Sequence, residues 1–378
     1  MRVIPIGWIA LLLVAPWAKA AEAAPTFVDV FTAGAEGFHT YRIPSLLSAA
    51  DGTVLAFAEA RVTQHDHAEN KIVLKRSSDA GKTWSPLQVI CEDGKNSLNN
   101  PCAVLVRETG RVLLIFQRFP QIVDEHTAQP GIDGDKICRN WLITSDDNGR
   151  SWSKPEDITA TTKRPAGVTS LASGPGIGIQ LRRGEHAGRI LFPFNQGPYG
   201  KWKVYAVFSD DQGKTWSFGE TAPDAPKGFG NEVQFVELTE GSLRLNARAQ
   251  GGNHRRQTAV SKNGGKTWSA LADVPDLIEP ICAASVLRFS DPADGKKGLL
   301  LYSGPDSDKK RADGTIWLSE DDGETWPQKK LLAGGPFAYS VLTRLPGDAV
   351  GCLFETGAIG PYEKIAFAVF TMSWLKEK

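Results

Sequence analysis

The chain reads as an all-β protein assembled from six repeated four-stranded units, and three observations carry that reading. The first is composition. Of 378 residues, 41% are hydrophobic, with 38 glycines and 23 prolines, too apolar for a disordered chain and too rich in turn formers for a helical one. The second is a repeated box. Ser77–Trp84 (SSDAGKTW), Ser145–Trp152 (SDDNGRSW), Ser209–Trp216 (SDDQGKTW), Ser261–Trp268 (SKNGGKTW) and Ser319–Trp326 (SEDDGETW) are copies of one another. Each follows an alternating strand-like run, such as KVYAVF before the third copy or GTIWL before the fifth. The third is a second period of glycine-led apolar runs: Gly52–Ala60, Gly110–Gln117, Gly188–Phe194, Gly241–Ala247, Gly298–Tyr302 and Gly347–Phe354. Another apolar run lies just upstream of each, at Ile43–Leu47, Pro101–Val106, Gly176–Leu181, Val233–Leu238, Ile281–Leu287 and Ser340–Leu345.

Each unit therefore reads as strand one, turn, strand two, longer loop, strand three, box turn, strand four. Asx and Gly make the box turn tight, and the Trp anchors it in apolar surroundings. Six such units predict a six-bladed β-propeller of four-stranded antiparallel blades. The sixth unit ends near Ile365–Trp374 with no box after it, so the early strand Thr26–Phe31 is expected to supply the missing strand and close the ring. Length alone suggests about two domains, but the repeats favour one domain over residues 21–378.

Residues before that domain read differently. Arg2 precedes an apolar run from Val3 to Trp17, followed by Ala18-Lys19-Ala20. A run of ~15 residues is short for a membrane span and typical of a secretory signal with a small-x-small cleavage site. Met1–Ala20 is expected to be a signal peptide and the remainder exported, periplasmic or secreted, with no membrane span after cleavage. Basic and acidic residues number 43 each, so no net field draws the chain to nucleic acid.

Cys91, Cys102, Cys138, Cys282 and Cys352 show no C-x-x-C spacing. Export permits one disulfide, such as Cys91 with Cys102, and buried free thiols are the other reading. The six histidines include no H-E-x-x-H; His65 and His67, flanking Asp66, read as solvated loop residues. No metal is implied.

Topology sorts the remaining polar residues. In an antiparallel blade, strand-one starts, strand-two ends and the loops between strands two and three share one face of the disc, and the box turns lie on the other. Strand-one starts offer Arg42, Asn100, Glu232 and Tyr339. Strand-two ends offer Arg61, Gln117, Arg118, Asn195, Arg248 and Glu355, and the loops offer Asp66 and Arg311. Several arginines converging on one depression call for an anionic ligand or partner carboxylates, and three guanidiniums can hold one carboxylate in a fixed plane. A tyrosine beside a carboxylate base can act as a nucleophile, and a loop aspartate can protonate a leaving oxygen.

At these residues the chain resembles a known family. Tyr41-Arg42-Ile43-Pro44, the repeated Asp boxes and FAEARVTQHD (Phe57–Asp66) look like the exo-α-sialidases, or neuraminidases, over nearly the whole chain after the signal segment. The resemblance implies that Arg42, Arg248 (LNARAQ) and Arg311 (KKRADG) form an arginine triad around the substrate carboxylate. It implies that Asp66 is the acid/base, Tyr339 (AYSVL) the nucleophile and Glu232 (GNEVQFVEL) its partner carboxylate. Arg61 would border the sugar's O4 side, Glu355 (LFETG) would brace the first arginine, and Asn100 (NNPCAV) would line the substrate pocket. Arg244, Arg255 and Arg256 compete with Arg248, and Lys309 and Lys310 with Arg311. Tyr41 stands where the family has Phe, Asn263 where a box has Asp, and Ser151 where a box has Thr.

The implied chemistry suits its substrate, a sialylated oligosaccharide, glycoprotein or glycolipid. Sialic acid carries a carboxylate on the anomeric carbon, so a carboxylate nucleophile would meet that charge head-on, and a tyrosine made reactive by Glu232 avoids the repulsion. No cofactor is required. Two rivals share the pocket: a transferase that passes the sugar to another acceptor or to its own hydroxyl, and a non-catalytic Asp-box propeller that binds glycans.

Overall fold

The structure, a computed structural model, describes residues 23–377; the signal segment expected at Met1–Ala20 lies outside the described residues. Strands dominate; the helices among the described residues are short, α-helical at Thr159–Thr162 and Met372–Lys376 and 3-10 at Pro292–Asp294. Among the described residues no helix is long and apolar enough to cross a membrane.

The first unit shows the repeating order. Thr40–Ser48, Val54–Arg61, Lys71–Ser77 and Gln88–Cys91 pair antiparallel in sequence order. Ser97–Leu105, Val112–Phe119, Arg139–Ser145 and Glu156–Asp157 repeat it, as do Phe229–Glu237, Leu243–Gln250, Arg255–Ser261 and Ala272–Ile278. Between those two lies a sheet centred on Ile190–Gln196, Lys203–Ser209 and Ser217–Phe218. The single strand expected there at Gly176–Leu181 is broken. Leu171–Ser173 and Ile179–Gln180 pair with Ile190–Gln196, and Gly176–Ile177 runs parallel to Ser97–Leu105 of the neighbouring unit. Pro175 cannot donate to a ladder, and Gly174 and Gly176 take φ of 49° and 117°, which no continuous strand accommodates. Likewise the strand expected from Ile281 begins only at Ser285, because Ile281 sits in the left-handed region at φ 59°.

The last sheet has seven strands. Its 17-residue strand Gln328–Arg344 pairs with Ala312–Ser319 through its first half and with Ala349–Thr356 through its second. The N-terminal strand Thr26–Thr32 lies antiparallel against Lys364–Thr371, with Phe31 opposite Ile365. That is the pairing the missing strand called for.

The core lies between units. Phe57 and Leu74 meet Leu114 and Phe116; Ile115 meets Phe192 and Tyr205; Leu191 and Ala206 meet Phe235 and Leu245. Further round, Val236 meets Leu300 and Trp317, Ile316 meets Leu342 and Phe370, and Phe367 returns to Tyr41 and Ala56. Box turns tighten these seams. In the first, the Ser77 hydroxyl accepts the Gly81 N–H at 2.8 Å and Asp79 accepts the Thr83 N–H at 2.9 Å. Asn263 accepts the Thr267 N–H at 2.9 Å, so the departure in the fourth box leaves its turn unchanged. Gly81 has φ 90° and lies flat against the Phe367 ring with no room for a Cβ, so the first box locks onto the last unit. All five cysteines are buried and free, and Cys91 and Cys102 form no disulfide.

Candidate active site

Four of the expected site residues sit where the first strand of a unit is interrupted. The register slips between Arg42 and Ser45, Asn99 and Cys102, Gly230 and Val233, and Phe337 and Ser340. A bulge bends the strand and re-aims a side chain. It does so here for Arg42, Asn100, Glu232 and Tyr339, with Ile43 at φ 57° and Asn100 at φ 54°. The four converge with Arg61, Asp66, Arg248 and Arg311 on one cleft of about 630 Å³.

At its floor the Tyr339 hydroxyl donates a short hydrogen bond to Glu232, and Arg248 Nη1 reaches Glu232 at 2.6 Å and the Tyr339 oxygen at 3.1 Å. Arg42 and Arg311 place their guanidiniums 5.4 and 5.2 Å from the Tyr339 ring centre. Burial would lower the pKa of Arg42 and of Arg248, but the carboxylates of Glu355 and Glu232 more than offset it, so both stay charged. Burial, and then the Glu232 charge, hold the Tyr339 phenol well above its ordinary value against the pull of Arg248 and Arg311. The phenol is therefore neutral at rest and needs a base, which Glu232 is placed to be.

Glu355 lies where the resemblance implies, bracing the first arginine, and so is not itself a substrate contact. It is fully buried beneath the cleft, where Oε1 accepts Arg42 Nε at 2.7 Å and the Ile43 N–H at 2.9 Å. It braces the arginine and cannot touch a ligand. Two strand-two ends expected at the depression lie elsewhere. Gln117 is buried against Asn140 and Ser173. Arg118 pairs with Asp93 at 2.7 Å and lines a separate groove with Trp141. Asn195 does line the cleft. Among the competing arginines, Arg256 is fully buried on Glu279, Arg244 pairs with Glu324 and Arg255 lies outside the cleft with Nη1 on the His254 carbonyl, which leaves Arg248 in it; Arg311 lines it without Lys309 or Lys310.

Asp66 sits on the rim with its side chain 71% exposed, 2.6 Å from Arg61 Nη1. Burial pushes its carboxyl up, but the charge and hydrogen bond of Arg61 outweigh it and hold the group below its ordinary value. His67 is not solvated as expected: it packs on Phe119 at 4.3 Å, and burial brings its pKa down to about 4. Among the described residues no group of three or more His, Cys, Asp or Glu could hold a metal ion.

Residues 52–352 match a family model described as a BNR repeat-like domain. The chain is 35% identical over 373 residues to a sialidase of Micromonospora viridifaciens, covering 96% of this chain but only 56% of that protein. It is 32% identical to Sialidase-2 of Cricetulus griseus, covering 89% of this chain and 93% of the relative. The chain belongs to the sialidase family. Its fold matches a Hadza microbial sialidase with a TM-score of 0.83 at 28% identity, over 92% of this chain and 69% of that one. The intramolecular trans-sialidase of Ruminococcus gnavus superposes with a TM-score of 0.81 at 22% identity, over 93% and 98% of the two chains, a likeness of fold.

Several cleft residues of this sialidase escaped the sequence reading. Tyr362 lies under Arg42, ring centre 3.9 Å from its guanidinium, and its hydroxyl accepts Arg311 Nη1 at 2.8 Å. It occupies the unit-six loop equivalent to that of Asp66, a signal that was legible. His126, Tyr199 and Trp202 form an aromatic wall, with ring centres 3.6 and 4.9 Å apart. Glu59 is fully buried and takes Arg61 through Nε at 2.9 Å and Nη2 at 2.6 Å.

Glu125 also faces the cleft. Burial, and then the charges of Glu232 and Asp66, raise its pKa to about 7 against the pull of Arg248. Below that pH it is neutral, and above it adds a negative charge to a cleft lined by Arg42, Arg248 and Arg311. Substrate KM is expected to rise as pH climbs through neutrality. Glu125→Gln should flatten that rise, as a pH profile of kcat/KM would record; an unchanged profile would dismiss Glu125 as its source.

Proposed function

We propose that this sialidase is an exo-acting hydrolase that removes terminal α-linked sialic acid from oligosaccharides, glycoproteins or glycolipids, with retention, through a covalent intermediate on Tyr339. The observation that carries the reading is the Tyr339 hydroxyl held between the Glu232 carboxylate and the Arg248 guanidinium. In the first step Glu232 takes the phenolic proton as the Tyr339 oxygen bonds to the anomeric carbon, and Asp66 protonates the departing glycosidic oxygen. In the second, water attacks that carbon from the vacated side, Asp66 takes the water's proton, and Glu232 returns its proton to the phenol. Arg42, Arg248 and Arg311 hold the substrate carboxylate meanwhile, so orientation is set by charge. Because Arg61 keeps Asp66 ionised at rest, the acid role needs the bound sugar to exclude water and weaken that pair. Retention makes the α-anomer of free sialic acid the first product. An NMR time course that starts with the β-anomer would overturn the tyrosyl mechanism.

Asp66→Ala is expected to lose ~10²–10⁴-fold on a sialyl oligosaccharide, the usual size of a general-acid contribution, and much less on an activated aryl sialoside. A sugar alkoxide leaves poorly without a proton, but a phenolate does not need one. Asp66→Asn should behave alike. Equal large losses on both substrates would mean a positioning role instead.

Transfer rather than hydrolysis is the second reading, favoured by the aromatic wall of His126, Tyr199 and Trp202, which an acceptor sugar could stack against. Product analysis on a sialylated oligosaccharide separates the two. The accompanying fold reading is a six-bladed propeller. The seven-stranded sheet counts as two four-stranded blades that share Gln328–Arg344, and the apolar seams between units number six and return to the start. Residues 21–378 would form one domain, exported to the periplasm or beyond the cell after removal of Met1–Ala20.

A further inference from the structure

Arg256 and Glu279 lie outside the cleft, and the chemistry above makes no use of either. Both are completely buried, with Arg256 Nη1 2.9 Å from Glu279 Oε2. An ion pair removed from water loses hydration that its own attraction does not readily restore, so such a pair is poor evidence for stability. What it touches is more informative. Glu279 Oε1 accepts the N–H of Ala249 at 2.6 Å, one residue beyond Arg248. Oε2 accepts the N–H of Cys282 at 3.4 Å, and Arg256 Nη1 donates to the Cys282 carbonyl at 2.7 Å. Between these anchors Ile281 is held at φ 59°, a conformation that a β-branched residue adopts only when its surroundings impose it. The consequence is the direction of the Ile281 carbonyl, which accepts Arg311 Nη2 at 2.9 Å.

A related device occurs twice more among the described residues, there with the carboxylate on the left-handed residue's own N–H. Glu355 grips the N–H of Ile43, also left-handed, together with Arg42. Glu59 grips the N–H of Asn100 at 2.7 Å, again left-handed, together with Arg61. In those two cases the arginine that the carboxylate holds lines the cleft. In the third the held arginine is buried, and the two cleft arginines are reached through backbone.

We propose that Glu279 and Arg256 are positioning residues for the carboxylate clamp, setting Arg248 through the Ala249 amide and Arg311 through the Ile281 carbonyl. The proposal rests on the reading of Arg42, Arg248 and Arg311 as that clamp. It predicts that neutralising the pair loosens two of three guanidiniums without removing any group that meets the substrate. Loss should therefore fall on recognition of the carboxylate.

The test compares binding of free sialic acid with binding of its methyl ester, which keeps the sugar and discards the charge. Wild type is expected to prefer the acid strongly. In Glu279→Gln that preference should shrink about tenfold or more, with weaker binding of the acid and little change for the ester, and KM for sialosides should rise more than kcat falls. Glu279→Gln leaves Arg256 as an uncompensated buried charge, so the double variant Glu279→Gln/Arg256→Gln, which buries no net charge, is measured alongside. Whichever variant retains a cooperative thermal transition decides the matter, and if neither folds the pair is structural and the proposal is wrong. A folded variant with the wild-type preference for acid over ester overturns it too. If wild type itself does not prefer the acid, the clamp reading has failed instead.

Discussion

Tyr339→Phe is expected to reduce turnover of every sialoside by ~10³-fold or more, on the scale at which removal of an enzymic nucleophile is felt. The loss should not depend on the leaving group, since the variant lacks the atom that forms the new bond. That separates it from Asp66→Ala. The phenylalanine ring keeps its place beneath Arg42 and Arg311, whose guanidiniums lie 5.4 and 5.2 Å from the ring centre, so KM should change little. Glu232→Gln removes the base and should cost ~10²–10⁴-fold. The double variant should be scarcely worse than Tyr339→Phe alone, because nucleophile and base act as one unit. Steady-state kinetics on an aryl sialoside would check all three. More than a tenth of wild-type activity in Tyr339→Phe would remove the tyrosine from the reaction.

Arg248→Ala should be severely damaging, since this arginine serves both the clamp and the Tyr339–Glu232 pair. Arg248 holds Glu232 at 2.6 Å and the Tyr339 oxygen at 3.1 Å, so its loss frees one end of the substrate carboxylate and leaves Glu232 uncompensated. Losing a charge-assisted contact to the substrate carboxylate costs about 1.5–3 kcal/mol, ~10–10²-fold in kcat/KM, to which the misplaced base adds, and the orphaned carboxylate lowers fold stability separately. Arg248→Lys should recover only part of this, because an ammonium is a point charge and cannot make the planar fork. Arg311 offers a cleaner control. It is held by Tyr362 and the Ile281 carbonyl, neither of which is a charge, so Arg311→Ala loses a charge-assisted contact worth about 1.5–3 kcal/mol without orphaning a carboxylate. Lys310→Ala should be silent. If Lys310→Ala were damaging and Arg311→Ala harmless, the third arginine of the clamp would be misassigned.

The repeats made the units legible because turn chemistry is local. Ser, Asx, Gly and Trp at fixed spacing specify a box wherever they occur, and five copies located the units before any contact was known. Alternation within each run identified the strands for the same reason, and the orphan strand Thr26–Phe31 followed from counting. The reading failed where backbone departs from alternation. Gly174, Pro175 and Gly176 broke a strand that apolar content alone suggested, and Ile281 in a left-handed conformation delayed another.

The candidate site divides along the same line. Residue types at equivalent turns, together with motifs such as YRIP, pointed to Arg42, Arg61, Asp66, Arg248, Arg311, Glu232 and Tyr339, since each lies at a chain position that topology assigns to one face. Nothing in a linear pattern says that Gln117 and Arg118 turn away from the cleft, or that Arg256 is buried rather than presented. Those outcomes depend on which side of a bulge a side chain leaves and on what the adjoining unit supplies across the seam. By itself the sequence determined the all-β class, the repeating unit, the face that carries polar residues and the chemistry those residues can perform. Tertiary structure alone decided which arginines line the cleft and which are sealed away from it. The physical reason is that a buried charge survives only with its partner, and that partner lies either two residues along the same strand, as Glu59 does for Arg61, or in a distant unit, as Glu355 does for Arg42.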